Sequence, residues 1–330
     1  MAESQEFASD IRIDFLELVT PTGVYDLQQL FVNVNIYENL FGDSVTIDLV
    51  LNDSINLPYK APILGEEYLN FTASSKSVEG EGVELNPGPM YTVSITDRHL
   101  TKDRQQLYIL HFTSEQDIVN SNTTVSRSFR GKKISTIVNT LLNEYIDPLE
   151  EGNDFVIEET DGIENIVIPN WKPFKAINWL AKRAINKNGI PNYLFWESNG
   201  KTYFKSVETL LTQQVKQKFI FSPIIAAEQK LEQLALGRIQ LDNLEIINQF
   251  NTIRNTENGL YASKLITHDI VKKKIQQHTY GLNEAYASDI AHTVGHDDNA
   301  YMPISSIDTY YTVQDRFTFA PQGDGINEGD

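Results

Sequence analysis

Apolar and polar residues alternate through Val32, Val34 and Ile36, set between Asn33 and Asn35, and again through Val45, Ile47, Leu49 and Leu51, set between Thr46 and Asp48. A period of two predicts half-buried strands. The short break from Glu38 to Ser44 contains Asn39, Gly42 and Asp43, so the two strands are expected to fold back as an antiparallel hairpin. A single hairpin is marginal in water, and its flanks must complete a sheet. Ile11, Ile13 and Phe15 supply a first strand before the turn Thr20 to Gly23. Leu69 and Phe71 mark a fourth strand after a loop over 52–58. Tyr91, Val93, Ile95 and then Tyr108, Leu110, Phe112 mark two more, joined by a charged turn from Asp97 to Gln105. Residues 75–89, rich in Ser, Gly, Glu and Pro, read as an exposed mobile loop. Six strands with polar connections predict a small antiparallel barrel or sandwich over residues 1–115.

Near residue 116 the period changes. Ile134, Ile137, Val138, Leu141, Leu142 and Tyr145 have the 3-4 spacing of an amphipathic helix that ends before Pro148. Short strand-like pieces follow at Phe155 and Ile157 and at Ile163, Ile166 and Ile168. Pro173 opens a second helix with Phe174, Ile177, Ala181 and Ala184 on one face, ending near Asn188 and Gly189. Asn199-Gly200 sits between Tyr193 to Glu197 and Lys201 to Lys205, a strong signal for a tight hairpin. Residues 116–210 therefore read as an α+β insertion folded on Ile137, Leu141, Phe174 and Ile177. Strand patterning returns at Phe219 to Phe221 and, after a mixed stretch from Glu228 to Leu236, at Ile239 to Ile247 and Tyr261 to Lys272, with a turn at 256–259. That predicts a second antiparallel unit over 211–275, closed off by the polar run Gln276 to His278. Residues 276–330 are weakly patterned and end in a polar acidic tail from Gln322 to Asp330 that is expected to be poorly ordered. The fold class expected is α+β, mainly antiparallel β.

Composition removes whole classes of chemistry. There is no cysteine, so disulfides, thiolate metal sites and cysteine nucleophiles are excluded. Neither a long apolar run nor a basic, apolar leader is present, which points to a soluble chain that is intracellular when made and makes no membrane insertion. Lys and Arg number 27 against 45 Asp and Glu, a net charge of −18, and a chain of that charge repels nucleic acid overall. Four groups invite a catalytic or binding reading. Glu66 and Glu67 are adjacent in a strand entry, point to opposite faces and read as solvated. His292 and His296, near Asp297 and Asp298, have a metal-like spacing but lack the zinc-hydrolase glutamate and enclose a glycine. Lys272 to Lys274 read as a protected strand edge rather than a phosphate contact. Trp171, Trp179 and Trp196 would suit a sugar site, although core packing explains aromatics equally well. None of these is assigned a catalytic, cofactor-binding or metal-binding role, and no cofactor is expected.

Several strings in order along residues 30–270 resemble the central baseplate hub protein of contractile-tailed bacteriophages, whose fold is shared with the base of type VI secretion spikes. They are Ile36 to Phe41, Ile47 to Asp53, Pro62 to Leu69, Ile168 to Ile177, Phe195 to Gly200 and Gly259 to Lys264. The resemblance implies two tail-tube-like β-barrels, the first over 1–115 and the second containing 211–275 as one part, separated by the α+β insertion over 116–210. It further implies a non-enzymatic virion protein, a homotrimer whose six barrels join a sixfold tail tube to a threefold spike. Its expected partners are the spike, tube or tube-initiator proteins and surrounding baseplate proteins, with DNA passing through without specific binding. The chain departs from the family at residues 283–330, where no clear strand set is visible to complete the second barrel. A hydrolase on a β-rich scaffold and a carbohydrate-binding tail adhesin are the alternatives.

Overall fold

The computed structural model describes residues 11–61, 63–75, 83–100, 105–147, 155–215, 218–221, 238–241, 244–245, 251–257, 262–269, 273–281 and 316–322. They fall into two compact units, the first made of residues up to 186 and from 191 to 207, the second of 187–190 and the residues from 208 onward.

The first unit begins with the antiparallel sheet that the alternation predicts. Its strands are β1 (Ile11–Thr20), β2 (Gly23–Asp26), β3 (Phe31–Tyr37), β4 (Thr46–Asp53), β5 (Tyr68–Ser75), β6 (Val83–Leu85), β7 (Met90–Leu100) and β8 (Gln106–Ser114). They are ordered β2-β1-β5-β7-β8-β4-β3, with β6 beside β5, and β2 and β3 are not paired with each other. In β4 the inward positions Ile47, Leu49 and Leu51 are fully buried, and Asp48 and Val50 point away. Opposite them Tyr108, Leu110 and Phe112 of β8 face the same core, which Leu16, Leu18, Leu69, Phe71 and Met90 complete. A bulge between Ile13 and Phe15 shifts the phase of β1, bringing Leu16 and Leu18 inward and leaving Phe15 exposed.

Three local expectations for this region change. The 52–58 loop leads into a short helix, α1 (Leu57–Lys60), preceded by Asn56 at φ 58°. The expected 75–89 loop includes β6, paired to β5, although residues 76–82 lie outside the described residues. The turn expected over 97–105 is narrower, because β7 runs on to Leu100.

A second core in the same unit gathers Val125, Phe129, Ile137, Leu141, Ile168, Phe174, Ile177, Phe195 and Phe204. Its elements are α2 (Glu115–Asn122), β9 (Val125–Lys132), α3 (Ile134–Leu141), β10 (Phe155–Ile157), β11 (Glu164–Trp171), α4 (Pro173–Ala181), β12 (Tyr193–Ser198) and β13 (Lys201–Ser206). Both helices read from the 3-4 spacing are present, but the first keeps only two turns of α-helix. It then continues as a π-helical turn over Leu142–Ile146, where the Asp147 N–H reaches the Leu142 carbonyl at 2.9 Å. The sequence pattern did not reveal α2, whose polar run offers only Ile118 and Val119 as apolar positions. β12 and β13 form the hairpin that Asn199-Gly200 predicts, with φ of 47° and 72° at the turn.

The second unit contains α5 (Val207–Leu211, whose first residue belongs to the first unit), β14 (Lys218–Phe221), β15 (Arg238–Leu241), α6 (Thr252–Glu257), β16 (Ala262–Asp269), β17 (Lys274–Gly281) and β18 (Arg316–Gln322). Pairing is mixed rather than purely antiparallel: β14 and β15 are parallel, and β16 lies between antiparallel β17 and parallel β18. Gln276 to His278 do not end the strand pattern but lie inside β17. β18 supplies a strand in the region beyond 283 where the sequence showed none. The turn expected at 256–259 begins inside α6. The stretch Glu228 to Leu236 lies outside the described residues, as does the tail beyond Gln322.

Candidate functional site

Polar chemistry in the first unit concentrates along the seam between its two cores. At the near side are the β3–β4 loop and the β6–β7 connection; at the far side are the β12–β13 hairpin and α4, and α2, which follows β8 directly, bonds to both of these. Glu38 accepts hydrogen bonds from the Ser198 hydroxyl at 2.9 Å and the Asn199 N–H at 2.7 Å. The Asn199 side chain accepts from the Asn86 N–H at 2.6 Å and donates to the Glu84 carbonyl at 3.0 Å. Gly200 fits because it has no Cβ; one placed there would meet the Asn86 carbonyl oxygen at 2.9 Å. The dipeptide that sequence reading takes as a turn signal is thus also the point at which the hairpin latches to the sheet. Asn178 donates to Asp43 at 2.7 Å, Asn120 accepts from the Phe174 N–H at 2.9 Å, and Thr202 donates to Gln116 at 2.7 Å.

Glu197 lies within this seam, 4% exposed, and accepts from the Val45 N–H at 3.2 Å. It borders a cleft of about 500 Å³ together with Pro87, Ser114, Gln116, Tyr145 and Asp147. Burial pushes its carboxyl up to about 7; the Ser114 hydroxyl and Val45 N–H oppose that rise, and Asp117 and Glu38 reinforce it. Burial also raises Asp43, opposed by the Asn178 amide and reinforced by Asp117. Several carboxylates therefore share one partly desolvated junction.

Replacing Gly200 by Ala tests the latch. Alanine at positive φ costs about 1 kcal/mol, and the close carbonyl adds to it. We expect a loss of about 2–3 kcal/mol in urea unfolding, against about 1 kcal/mol for Gly162→Ala, where φ is 77° and nothing lies within 4 Å. Equal losses in the two variants would mean that the latch contributes nothing beyond backbone strain.

The outward face of the sheet carries a second group that sequence reading missed. His111 of β8 meets Asp48 of β4 at 2.6 Å through Nδ1 and Thr96 of β7 at 2.7 Å through Nε2. Asp48 and His111 are direct cross-strand partners, and strand pairing places Ser94 opposite His111 on its other side. This Asp-His-Thr order matches the polarity of a hydrolytic relay. It sits on an open sheet face, however, with Thr96 exposed, whereas acyl transfer depends on a water-excluded site with preorganised oxyanion donors. A cross-strand polar ladder accounts for it.

The residues weighed from the sequence separate in space. Glu66 is exposed as expected, but Glu67 is 1% exposed and accepts from the Leu64 and Gly65 N–H groups at 2.8 Å each, so it clamps its own loop instead of being solvated. Trp171 and Trp179 pack edge to face at 5.5 Å, whereas Trp196 stacks on Tyr203 at 5.0 Å. Lys273 and Lys274 are exposed at the β16–β17 turn. Lys272, His292, His296, Asp297 and Asp298 lie outside the described residues. Among the described residues there is no cluster of three His, Cys, Asp or Glu suited to a metal ion, and no helix is long and apolar enough to cross a membrane.

No protein-family model matches the chain, and no curated protein matches it significantly. Solved structures do. The tail protein from Neisseria meningitidis MC58 aligns over 94% of this chain and 72% of its own, at 9% identity and a TM-score of 0.50. The 43 kDa tail protein of prophage MuSo2 from Shewanella oneidensis aligns over the same shares, 94% and 72%, at 13% identity and a TM-score of 0.42. An Escherichia coli component of the type VI secretion system aligns over 65% of this chain and 52% of its own, at 8% identity and a TM-score of 0.33. The first of these carries the conclusion: at the level of fold, this chain is similar to a tail protein, with the mainly antiparallel β architecture expected from its sequence resemblance to a baseplate hub.

Proposed function

We propose that the protein is a non-enzymatic structural component of a contractile-tail baseplate, a trimeric hub that joins a sixfold tail tube to a threefold spike and lets the genome pass. The observation that carries this reading is the fold-level similarity to a tail protein over 94% of the chain. Two barrel-like modules per subunit, the first over residues 1–115 and the second including 211–275, repeated three times, would offer six similar walls to a tube while leaving threefold symmetry for a spike. The 116–210 insertion, with a hydrophobic core of its own, would sit outside that ring and meet surrounding baseplate proteins, and 276–330 would form the C-terminal segment. A net charge of −18 suits a channel wall, because DNA finds few cations against which to release counterions. Assembly would take place in the host cytoplasm, and the finished protein would reside in the virion tail.

The decisive measurement is mass in solution by light scattering after size exclusion. Three copies per particle are expected, alone or on adding the spike. A chain that stays monomeric at micromolar concentration and hydrolyses or binds a surface polysaccharide would replace the hub reading with that of a hydrolase or adhesin.

A further inference from the structure

Acidic residues are spread along most of this chain, yet none occurs in residues 118–143 or 165–196. The second of these stretches contains Lys172, Lys175, Lys182 and Arg183, all exposed, along α4 and its ends. They share one helix face, because Phe174, Ile177, Leu180 and Ala181 turn the opposite face into the core. Among the described residues Lys172, Lys175 and Lys182 form no ion pair, and Arg183 reaches Glu164 only at 3.7 Å. In a chain of net charge −18, cations left without carboxylates are not explained by solubility, since mixing the signs would serve that better.

The two indoles on this face are already engaged. Lys175 Nζ lies 5.1 Å from the centre of Trp171, and Arg183 Cζ lies 5.0 Å from the centre of Trp179. The rings meet at 75°, so they present no coplanar platform for successive bases or a sugar ring. What they do is hold the two cations in place, which lowers the entropy lost when an anion binds.

We propose that this face of α4 docks an acidic peptide segment of a partner protein. From Lys172 to Arg183 a helix rises about 16 Å, a span matched by about five residues of extended chain. Discrete carboxylates suit four separate cations, and a dense polyanion would meet the repulsion of the whole chain. The proposal concerns a face of one subunit and is tested on the chain in whatever oligomeric state it adopts.

The probe is capped hexaglutamate, followed by tryptophan fluorescence of the full chain. Saturable binding is expected at low salt, weakening about tenfold between 50 and 300 mM NaCl. Lys175→Glu with Arg183→Glu should weaken it by at least about tenfold. Arg12→Glu with Lys60→Glu, which changes net charge equally, should leave it within about twofold. The milder pair Lys175→Gln with Arg183→Gln gives the same ordering if the charge reversal perturbs folding. The proposal is overturned by absence of binding, by equal loss in both charge-reversed variants, or by tighter binding of a thymidine oligonucleotide or a sulfated polysaccharide through the same residues.

Discussion

Glu197→Gln is expected to make the protein more stable at pH 8, by about 3 kcal/mol. The wild-type carboxyl is held at about 7 against an ordinary value of 4.5, and a tenfold change in proton affinity corresponds to about 1.4 kcal/mol. Because the folded-state value is raised, the proton is bound more tightly in the folded chain. The favourable condition, a neutral carboxyl, is therefore fully present below about 4.5 and is lost as pH rises through about 7. Glutamine retains an acceptor for the Val45 N–H, which the carboxylate now receives at 3.2 Å, and removes the charge from a 4% exposed position. Urea unfolding from pH 5 to 8.5 should show the variant and wild type converging at the acid end and separating through neutrality. Other carboxylates of this acidic chain titrate in both proteins, so the difference between them is the readout. Burial raises Asp43 too, which leaves a smaller slope of the same sign in the variant. If Glu197→Gln is destabilised equally at every pH, the carboxylate is a needed partner and not a strained one.

The seam between the two cores is a polar junction. Its contacts are short and polar, the hairpin tip at Asn199 and Gly200 holds to Glu38 and Asn86, and the buried apolar residues on the two sides form separate clusters. Protonation of Glu197 strengthens the junction from within, since it removes a buried negative charge near Asp117 and Glu38.

How much of this was legible depends on how local the signal is. The β3–β4 hairpin follows from alternation within twenty residues, and the structure returns it with the same inward residues, Ile47, Leu49 and Leu51. The β12–β13 hairpin follows from two residues with positive φ. Pairing across distance has no such trace. Nothing local in Tyr193 to Ser198 distinguishes Glu197 from an outward strand residue until Val45, 152 positions earlier, is placed against it. The Asp48, His111 and Thr96 ladder depends on three strands whose order is β7-β8-β4. β17 was hidden because Gln276, Gln277 and His278 are polar on both faces, and β18 because Pro321 weakens a strand reading of Phe317 and Phe319. The basic face on α4 leaves a trace in the sequence, a gap in the acids over 165–196 that a reading of apolar periodicity passes over, and its indole partners needed coordinates.

Asp53→Ala is expected to be the most damaging single change in the first core, costing about 3–5 kcal/mol. The residue continues the inward phase of β4 after Ile47, Leu49 and Leu51, so strand geometry carries a carboxylate into a buried position, 1% exposed. There Oδ1 accepts the Ile55 N–H at 2.8 Å, and Oδ2 accepts the Leu57 N–H at 2.6 Å and the Tyr108 hydroxyl at 3.1 Å. The carboxylate therefore organises the turn into α1 and ties it to β8. Burial, and then the Asp53 charge, raise the Tyr108 hydroxyl far above its ordinary value, so it remains a donor at any working pH. Truncation to alanine strands three donors at once, two of them in buried bonds and the Ile55 N–H in a part-buried one, whereas Tyr108→Phe removes one donor and leaves two bonds intact, for a loss of about 1–2 kcal/mol. Asp53→Asn should fall close to alanine, because its amide would point a donor at one of these donors. In a double-mutant cycle the combined variant should lose about 1 kcal/mol less than the sum of the single losses, since the second change removes a donor that the first had orphaned. Urea unfolding of the four proteins measures this directly. A cost below about 1 kcal/mol for Asp53→Ala would mean that water reaches the turn and replaces the carboxylate.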